Sequence, residues 1–408
     1  MPSETLSPSL TWGRVAVGTF LVVALVAFRK VPVPWGVRVR VVVVAFALIA
    51  AGLAYLWFRP NRAEIEARLQ IEHWDVVADG RHNSNTDMIL WRGDFLLVHD
   101  ARPYHFGSPD ARLVVRRSRD GRHWEELARL AVRGKDIRDP KFAVIGGKLF
   151  LYALPNSGKM ATPEGTVVAT SDDAVQWTPF EPVEPAGWLF WRPKSNDGGK
   201  TWYVPAYWHA HGKSILLRST DGRVWQQVSV IHEGDGSDET DIEFLPDGRL
   251  LATARLEITS DTVLGNYDGQ TAIAVAAPPF TRWTTQRSRL TRLDGPNLFA
   301  LAGTTYAIAR YQPHPNGFLT RMGGILSRKR TALYRVEPDR LVRLSDLPSS
   351  SDTSYAGVVV RDGALWVDYY TSRIDRDWPW LVGMLWRSEI RMARIPLDAV
   401  EALSKATP

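Results

Sequence analysis

Cysteine is absent from all 408 residues. That excludes disulfides, thiolate metal sites and cysteine nucleophiles, and it leaves the redox compartment open. Charge of one sign is scarce in excess as well, since 50 Lys and Arg face 44 Asp and Glu for a net charge of +6. Neither that balance nor any zinc-finger spacing or RNA-binding signature points to nucleic acid. With 45% hydrophobic residues, the chain can bury a large core, as one big all-β domain or as two or three smaller ones.

The amino-terminal region differs from the rest. Val15 to Phe28 and Val41 to Phe58 are uncharged apolar runs. The second is long enough to span about 27 Å as a helix, and the first suffices if Leu10 to Gly13 join it and Arg14 snorkels. The expectation is a membrane anchor over residues 1–69, with two transmembrane helices at about 10–28 and 41–58. The connector between them carries Arg29, Lys30, Arg38 and Arg40, against Arg14 in the tail and Arg59, Arg62 and Arg68 after the second run. The positive-inside rule then makes the connector cytoplasmic and places residues 70–408 on the extracytoplasmic side. A cleaved signal peptide fits poorly, because a second apolar run follows and no small-residue cleavage site is evident.

From about residue 70 the chain repeats. Six segments each begin with a short apolar run, turn at a Gly-containing tetrapeptide and return on a second run: "TDMILWRGDFLLVHD", "RDPKFAVIGGKLFLYAL", "WRPKSNDGGKTWYVPAYW", "TDIEFLPDGRLLATAR", "PNLFALAGTTYAIAR" and "SYAGVVVRDGALWVDYY". A variable loop and two more runs follow in each. Starts lie roughly 50 to 60 residues apart, the size of a four-stranded propeller blade with one elaborated loop. The sixth segment lacks a fourth run, and Ile71 to Val77 reads as the missing strand, so that first and last residues close a ring.

A second mark recurs between third and fourth runs. Ser118 to Trp124 ("SRDGRHW") and Ser219 to Trp225 ("STDGRVW") share Ser-x-Asp-Gly-x-x-Trp, and Ser171 to Trp177 ("SDDAVQW") keeps the Ser, Asp and Trp. Asp and Ser side chains close such a turn on nearby backbone N–H groups, and the Trp plugs the gap beneath the next strand. The pattern resembles the Asp-box of sialidase-like β-propellers. "SNDGGKTW" at Ser195 to Trp202 sits between first and second runs, out of register, and reads as an ordinary hairpin turn.

In a propeller the first strand of each blade lines the channel, and its beginnings converge on one mouth. Asp87, Arg138, Arg192, Glu239 with Asp241, Asn297 and Tyr355 fall at those beginnings. Returning strands bring Asp100, Asn156, Tyr207 with His209, Arg255, Arg310 and Tyr370 to the same face. In the hairpin turned by Pro246-Asp247-Gly248, Arg255 lands opposite Glu239 and Asp241. So dense a polar set marks a candidate site.

The order Glu239, Arg255, Arg310, Tyr355 sharpens the resemblance, because sialidases place a Glu and then an Arg in the fourth blade, an Arg in the fifth and a Tyr in the sixth. The resemblance implies Tyr355 as nucleophile, Glu239 as its base, and Arg residues that grip an anionic sugar through planar, bidentate donors. Asp100, with Asp87 second, is the candidate general acid. Arg138, Arg192, Arg255, Arg310, Asn297, Asp241, Tyr207 and Tyr370 are the candidate substrate contacts. This chain departs from the family in its first blade, which has no Arg at "NTDMIL" where sialidases carry Arg-Ile-Pro. The implied activity is a membrane-anchored exo-glycosidase acting on a glycan, with no cofactor or metal. Two alternatives stand beside it: an inverting glycosidase using Asp87, Asp139 and Glu239, and a non-catalytic glycan-binding propeller. His209 and His211 alternate on one strand face and read as channel hydrogen-bonding groups before a metal pair. "SRKRTALYR", Ser327 to Arg335, reads as a solvated loop leading into a strand.

Overall fold

The computed structural model describes residues 34–257, 270–313 and 326–408. Six antiparallel sheets follow one another along the chain and form a six-bladed β-propeller. Blade 1 runs His82–Trp91, Asp94–Arg102, Arg112–Ser118, Glu125–Leu130 from the axis outward, and blade 2 starts on Asp136–Ile145 and Lys148–Ser157. Blade 3 starts on Trp188–Phe190 and Trp202–Trp208, blade 4 on Ser237–Phe244 and Leu250–Leu256, and blade 5 on Asp294–Leu301 and Thr304–Tyr311. Blade 6 contains Thr353–Arg361, Ala364–Thr371 and Glu389–Pro396, and its outermost strand is Glu72–Val77. Glu72 pairs with Arg394 and Trp74 with Met392, so the seam closes as the sequence predicts. An extra short strand, Thr162–Pro163, pairs with the second strand of blade 2.

Blades hold together through apolar layers, one between each neighbouring pair. Tyr152, Phe190, Val204 and Trp225 fill the layer between blades 2 and 3, and Tyr306, Leu333, Val367 and Ile395 the layer between 5 and 6. Period-two alternation supplies both faces of each sheet, which is why these strands read as nearly continuous apolar runs.

The Ser-x-Asp turns close as their chemistry requires. Asp120 Oδ1 accepts from the backbone N–H of Arg122 and His123, the Gly121 N–H donates to Ser118 Oγ, and Trp124 Nε1 donates to the Gly121 carbonyl. The Ser171 and Ser219 turns repeat the scheme. So does Ser195 to Trp202, with one residue more in the loop. That segment is therefore more than an ordinary hairpin turn.

The amino-terminal expectation needs correction. One helix among the described residues, Trp35–Phe58, is long and apolar enough to cross a membrane, where two were expected; the first run, about 10–28, lies outside the described residues. This helix also begins earlier than the apolar run, so Trp35 to Arg40 are helical and not connector. Pro34, at φ −53°, supplies the start, since proline's fixed φ suits the beginning of a helix and its missing N–H excludes it from the interior.

The basic stretch at Ser327 is not a solvated loop either: Arg328, Lys329 and Arg330 are buried. Arg330 pairs with Asp377, Arg328 lies 3.6 Å from the same carboxylate, and the Lys329 ammonium sits 4.8 Å from the Trp380 ring centroid.

Candidate active site

Local geometry at the mouth comes from a repeated defect in the sheets. In five blades the pairing of first and second strands slips by one residue near its start: between Ser84 and Asp87, Arg138 and Lys141, Ser237 and Thr240, Asp294 and Asn297, and Ser354 and Gly357. Each slip is a β-bulge, in which two residues oppose one and the strand re-aims its side chains. The first bulge residue is Asn85, Asp139, Asp238, Gly295 and Tyr355 in turn. Four of these have positive φ, at 44°, 53°, 61° and 50° for Asn85, Asp139, Gly295 and Tyr355.

The bulges of blades 4, 5 and 6 meet at one point. Tyr355 Oη donates to Glu239 Oε1. The other oxygen, Oε2, accepts from the Gly295 N–H at 2.6 Å and from Arg255 Nη1 at 2.9 Å. Gly295 is required on two counts: its φ favours glycine, and a Cβ there would lie 2.8 Å from Tyr355 Cδ2. The phenol's backbone carbonyl accepts from Thr86 Oγ1 at 2.6 Å, and its ring lies 5.9 Å from Trp191 and 6.3 Å from Tyr370. Burial first, then the facing charges of Glu239 and Asp139, hold the Tyr355 phenol well above its ordinary pKa. The phenol therefore keeps its proton and donates it in the hydrogen bond to Glu239.

Two arginines flank the pair. Arg255 engages Asp238 through Nε at 2.6 Å and Nη2 at 2.5 Å, and reaches Glu257 at 3.3 Å and Asp294 at 3.6 Å. Arg310 donates through Nε to Asp294 at 3.2 Å, and its guanidinium lies 5.7 Å from the Tyr355 ring and 5.1 Å from Trp380. Asp139, partly exposed, accepts from Asn85 Nδ2 at 2.6 Å. Burial pushes its carboxyl up to about 6, against the pull of Lys141 and Arg138 and with help from Glu239.

Other candidates lie differently. Asp100 is fully buried, accepting from Ser84 Oγ and Arg102 Nη2, both at 2.6 Å. Asp87 takes the Phe142 N–H at 2.7 Å and Arg192 Nε at 3.2 Å. Arg192 also donates to the carbonyls of Pro296 and Ala356. Asp241 takes the Leu298 N–H at 2.7 Å, and Asn297 donates to the Ala356 carbonyl at 2.9 Å. Asp87, Arg192, Asp241 and Asn297 thus stitch inner strands of different blades together. Arg138 is held by Asp136 at 2.6 Å and the His105 carbonyl at 3.2 Å, while Asn156 bonds the Leu154 carbonyl. Tyr207 is buried, its phenol raised by that burial and by Glu239 and Asp139. Tyr370 donates to Asp352 at 3.0 Å.

The two histidines do not share a strand face, because the strand ends at Trp208. His209 packs on Trp208, whereas His211, at φ 63°, turns to Glu257 and Asp238 at 3.1 and 3.3 Å. Among the described residues two triplets have spacing suited to an ion: His82, His105 and Asp352, and His211, Asp238 and Glu257. Both already spend their carboxylates internally, Asp352 on Tyr370 and Trp380 and Asp238 on Arg255. Sequence reasoning passed over Asn85, Asp294, Gly295, Asp352 and the Trp191 and Trp380 walls. A column alignment of the strand starts would have raised the first bulge residues, since Asn85, Asp139, Asp238, Gly295 and Tyr355 share one register position.

Solved structures share this architecture. Trypanosoma rangeli sialidase in complex with sialic acid aligns with a TM-score of 0.59 at 12% identity, covering 82% of this chain and 60% of its own. The same enzyme with 2,3-difluorosialic acid, a covalent intermediate, aligns at 0.58 and 12%, covering 85% and 60%. Phage phi92 endosialidase aligns at 0.58 and 10%, covering 81% and 69%. The chain thus spans about 60% of the length of the trypanosomal protein. No protein-family model and no curated protein sequence matches it. At such identities the likeness concerns architecture, and on that ground the chain has the sialidase-like fold of a six-bladed β-propeller.

Proposed function

We propose that the chain is a membrane-anchored glycoside hydrolase of sialidase type, with Tyr355 as nucleophile, Glu239 as its base and Asp139 as general acid. The hydrogen bond from Tyr355 Oη to Glu239 Oε1 carries the reading. As the phenol oxygen attacks the anomeric carbon, its proton passes to Glu239, and the glycosidic oxygen departs with the proton of Asp139. Water, deprotonated by Asp139, then attacks the same carbon; the sugar leaves and Tyr355 regains its proton from Glu239. Asp139 replaces Asp100 and Asp87 in the acid's role because it is partly exposed and its carboxyl is raised to about 6. A neutral phenol suits an anomeric carbon next to negative charge, and Arg310 and Arg138 supply donors for an anionic terminal sugar, while Arg255 is spent on Asp238 and Glu239. Asp87 is committed to Phe142 and Arg192, which leaves the carboxylate-only mechanism a member short.

The helix Trp35–Phe58 would serve as the anchor. Four basic residues precede its apolar stretch, Arg29, Lys30, Arg38 and Arg40, and three follow it, Arg59, Arg62 and Arg68, which favours an extracytoplasmic propeller. The test is Tyr355→Phe and Glu239→Gln against aryl glycosides of acidic sugars. Each is expected to lose more than about 10³-fold in kcat with the unfolding midpoint unchanged, and the product should retain anomeric configuration by NMR. Full activity in either variant refutes the nucleophile pair, inversion favours the carboxylate mechanism, and saturable binding without turnover favours a glycan-binding propeller.

A further inference from the structure

The membrane helix leaves the propeller on the same face as the candidate active site. Second strands end at the mouth, so the loops that follow them lie there. In blade 6 that loop holds Trp378, the short helix Trp380–Leu385 and Trp386. Trp380 faces inward, donating to Asp352 at 2.8 Å and stacking by Arg310. Two residues away, Trp378 donates to the carbonyl of Trp57, in the last turn of the membrane helix, and the Trp57 ring lies 4.7 Å from Trp378 and 5.6 Å from Trp386. Backbone bonds extend the dock: the Asp377 N–H donates to the Arg59 carbonyl at 2.8 Å, and Pro60 bridges Arg376. Along the helix itself Ala45 is the one buried residue, so it stands away from the propeller and does not lie along its flank.

The mouth face is also dressed for a bilayer surface. Tyr104, Met160, Leu326, Leu385 and Trp386 are exposed on the loops after second strands, with Leu290 beside them before blade 5. Exposed apolar residues on the far face are Leu90, Val175, Val224 and Val360, scattered on strand ends and tight turns, which is ordinary. At the foot of the helix a cavity of about 410 Å³ is lined by Arg59, Arg62, Arg328, Arg330 and Arg343 against three acids. Arg328 Nη2 and Arg330 Nε are buried there without a partner. Tryptophan, tyrosine and arginine at this level are what the headgroup layer selects.

From this placement we infer that the catalytic mouth faces the membrane and that the substrate is a lipid-borne glycoconjugate of the same leaflet, whose sugar enters the mouth while its anionic headgroup meets the arginine-lined cavity. The substrate class rests on the hydrolase reading; the orientation does not. A glycan on a neighbouring lipid is confined to the layer the mouth already faces, which raises its effective concentration, whereas a soluble polymer must enter from the side.

The test uses the full chain in nanodiscs. Because there is no cysteine, Leu385→Cys and Val224→Cys each accept a single nitroxide, one on either face. We expect the label at 385 to be reached by lipid-dissolved oxygen in preference to a water-soluble nickel chelate, and the label at 224 to show the reverse. Both labels in water overturns the inference even if soluble glycans are cleaved. For substrate class, one acidic glycan is offered on a lipid in the disc and free in solution. The lipid-borne form is expected to be at least about 10-fold better in kcat/KM, and the double variant Leu385→Asp, Trp386→Asp should lose that advantage while its rate on free glycan holds. Equal rates on both forms overturn the lipid-borne assignment. A membrane-facing label with neither form cleaved refutes the hydrolase reading and leaves the orientation standing.

Discussion

Replacing Gly295 by Ala tests whether the position of the phenol, and not its mere presence, sets the rate. The new Cβ would sit 2.8 Å from Tyr355 Cδ2 and 3.0 Å from Cε2 and Cγ, while comfortable carbon contacts lie near 3.5 to 4.0 Å. Relief requires the ring to retreat by roughly 0.7 to 1 Å, because the backbone at Gly295 is pinned by its N–H bond to Glu239 at 2.6 Å. A misplacement of about 1 Å at a reacting group costs about 10²-fold. Separately, an L side chain at φ +61° costs about 1–2 kcal/mol, worth a fall of roughly 2–4 °C in Tm. Gly303 separates the two effects: its φ is +81°, but its nearest neighbour is Pro246 Cγ at an easy 3.6 Å. Steady-state kinetics on an aryl glycoside, with calorimetry on the same samples, should show both variants losing a few degrees and only Gly295→Ala losing about 100-fold in kcat. The reasoning is refuted if Gly295→Ala keeps kcat within about threefold, or if Gly303→Ala loses as much.

If Asp139 is the acid, it must carry its proton, so kcat/KM should decline as pH rises through about 6, the value to which burial raises it. Asp139→Asn should flatten that limb and spare substrates with good leaving groups, and a pH profile with stopped assays reads both. The sign for stability is the same: the folded carboxyl holds its proton between the ordinary value of 3.8 and about 6 while the unfolded one does not, so this group's contribution falls as pH rises across that window. At the ring seam, Trp366 meets Trp74 at 5.9 Å and Phe95 at 5.0 Å and lies under Gly121. Trp366→Ala should cost about 3–5 kcal/mol, seen as a lower urea midpoint, and an unchanged midpoint would show that the seam does not limit stability.

What could be read from the sequence follows from strand periodicity. Alternating runs and glycine turns give six blades, and the sixth segment's missing run points to Glu72–Val77 as its outer strand. The acid, arginine, arginine and tyrosine could be ordered because each sits near a strand end, and strand ends converge. A bulge, however, adds one residue to a period of two, and counting through it misjudges where side chains point. Asp87, Asp241 and Asn297, just beyond the bulges, fall at the mouth by that count yet bond the inner strands of neighbouring blades. Asp100 lies at a strand end but turns to Ser84 and Arg102 inside the wall. The run Arg328 to Arg330 reads as solvent-facing by charge alone, and only the long-range contact with Asp377 makes its burial tolerable.

The bulges also explain how a strained mouth persists. Non-glycine residues at positive φ, as at Asn85, Asp139 and Tyr355, cost of order 1 kcal/mol each and survive only where surroundings over-determine them. Here the surroundings are the other bulges. Asn85 of blade 1 bonds Asp139 of blade 2, Thr86 of blade 1 bonds the Tyr355 carbonyl of blade 6, and Gly295 of blade 5 bonds Glu239 of blade 4. Each bond crosses between blades, so the strain of one strand is offset by a contact that another strand's strain makes possible. Groups tied in this way respond together. Removing the Asn85 amide by Asn85→Ala frees Asp139, and the Cβ of Gly295→Ala displaces the Tyr355 ring, which faces both Asp139 and Glu239. The double variant Asn85→Ala, Gly295→Ala should therefore depart from additivity in kcat by more than about 0.5 kcal/mol, the coupling expected of residues in one bonded network, whereas additive losses would show that the bulges act as separate devices.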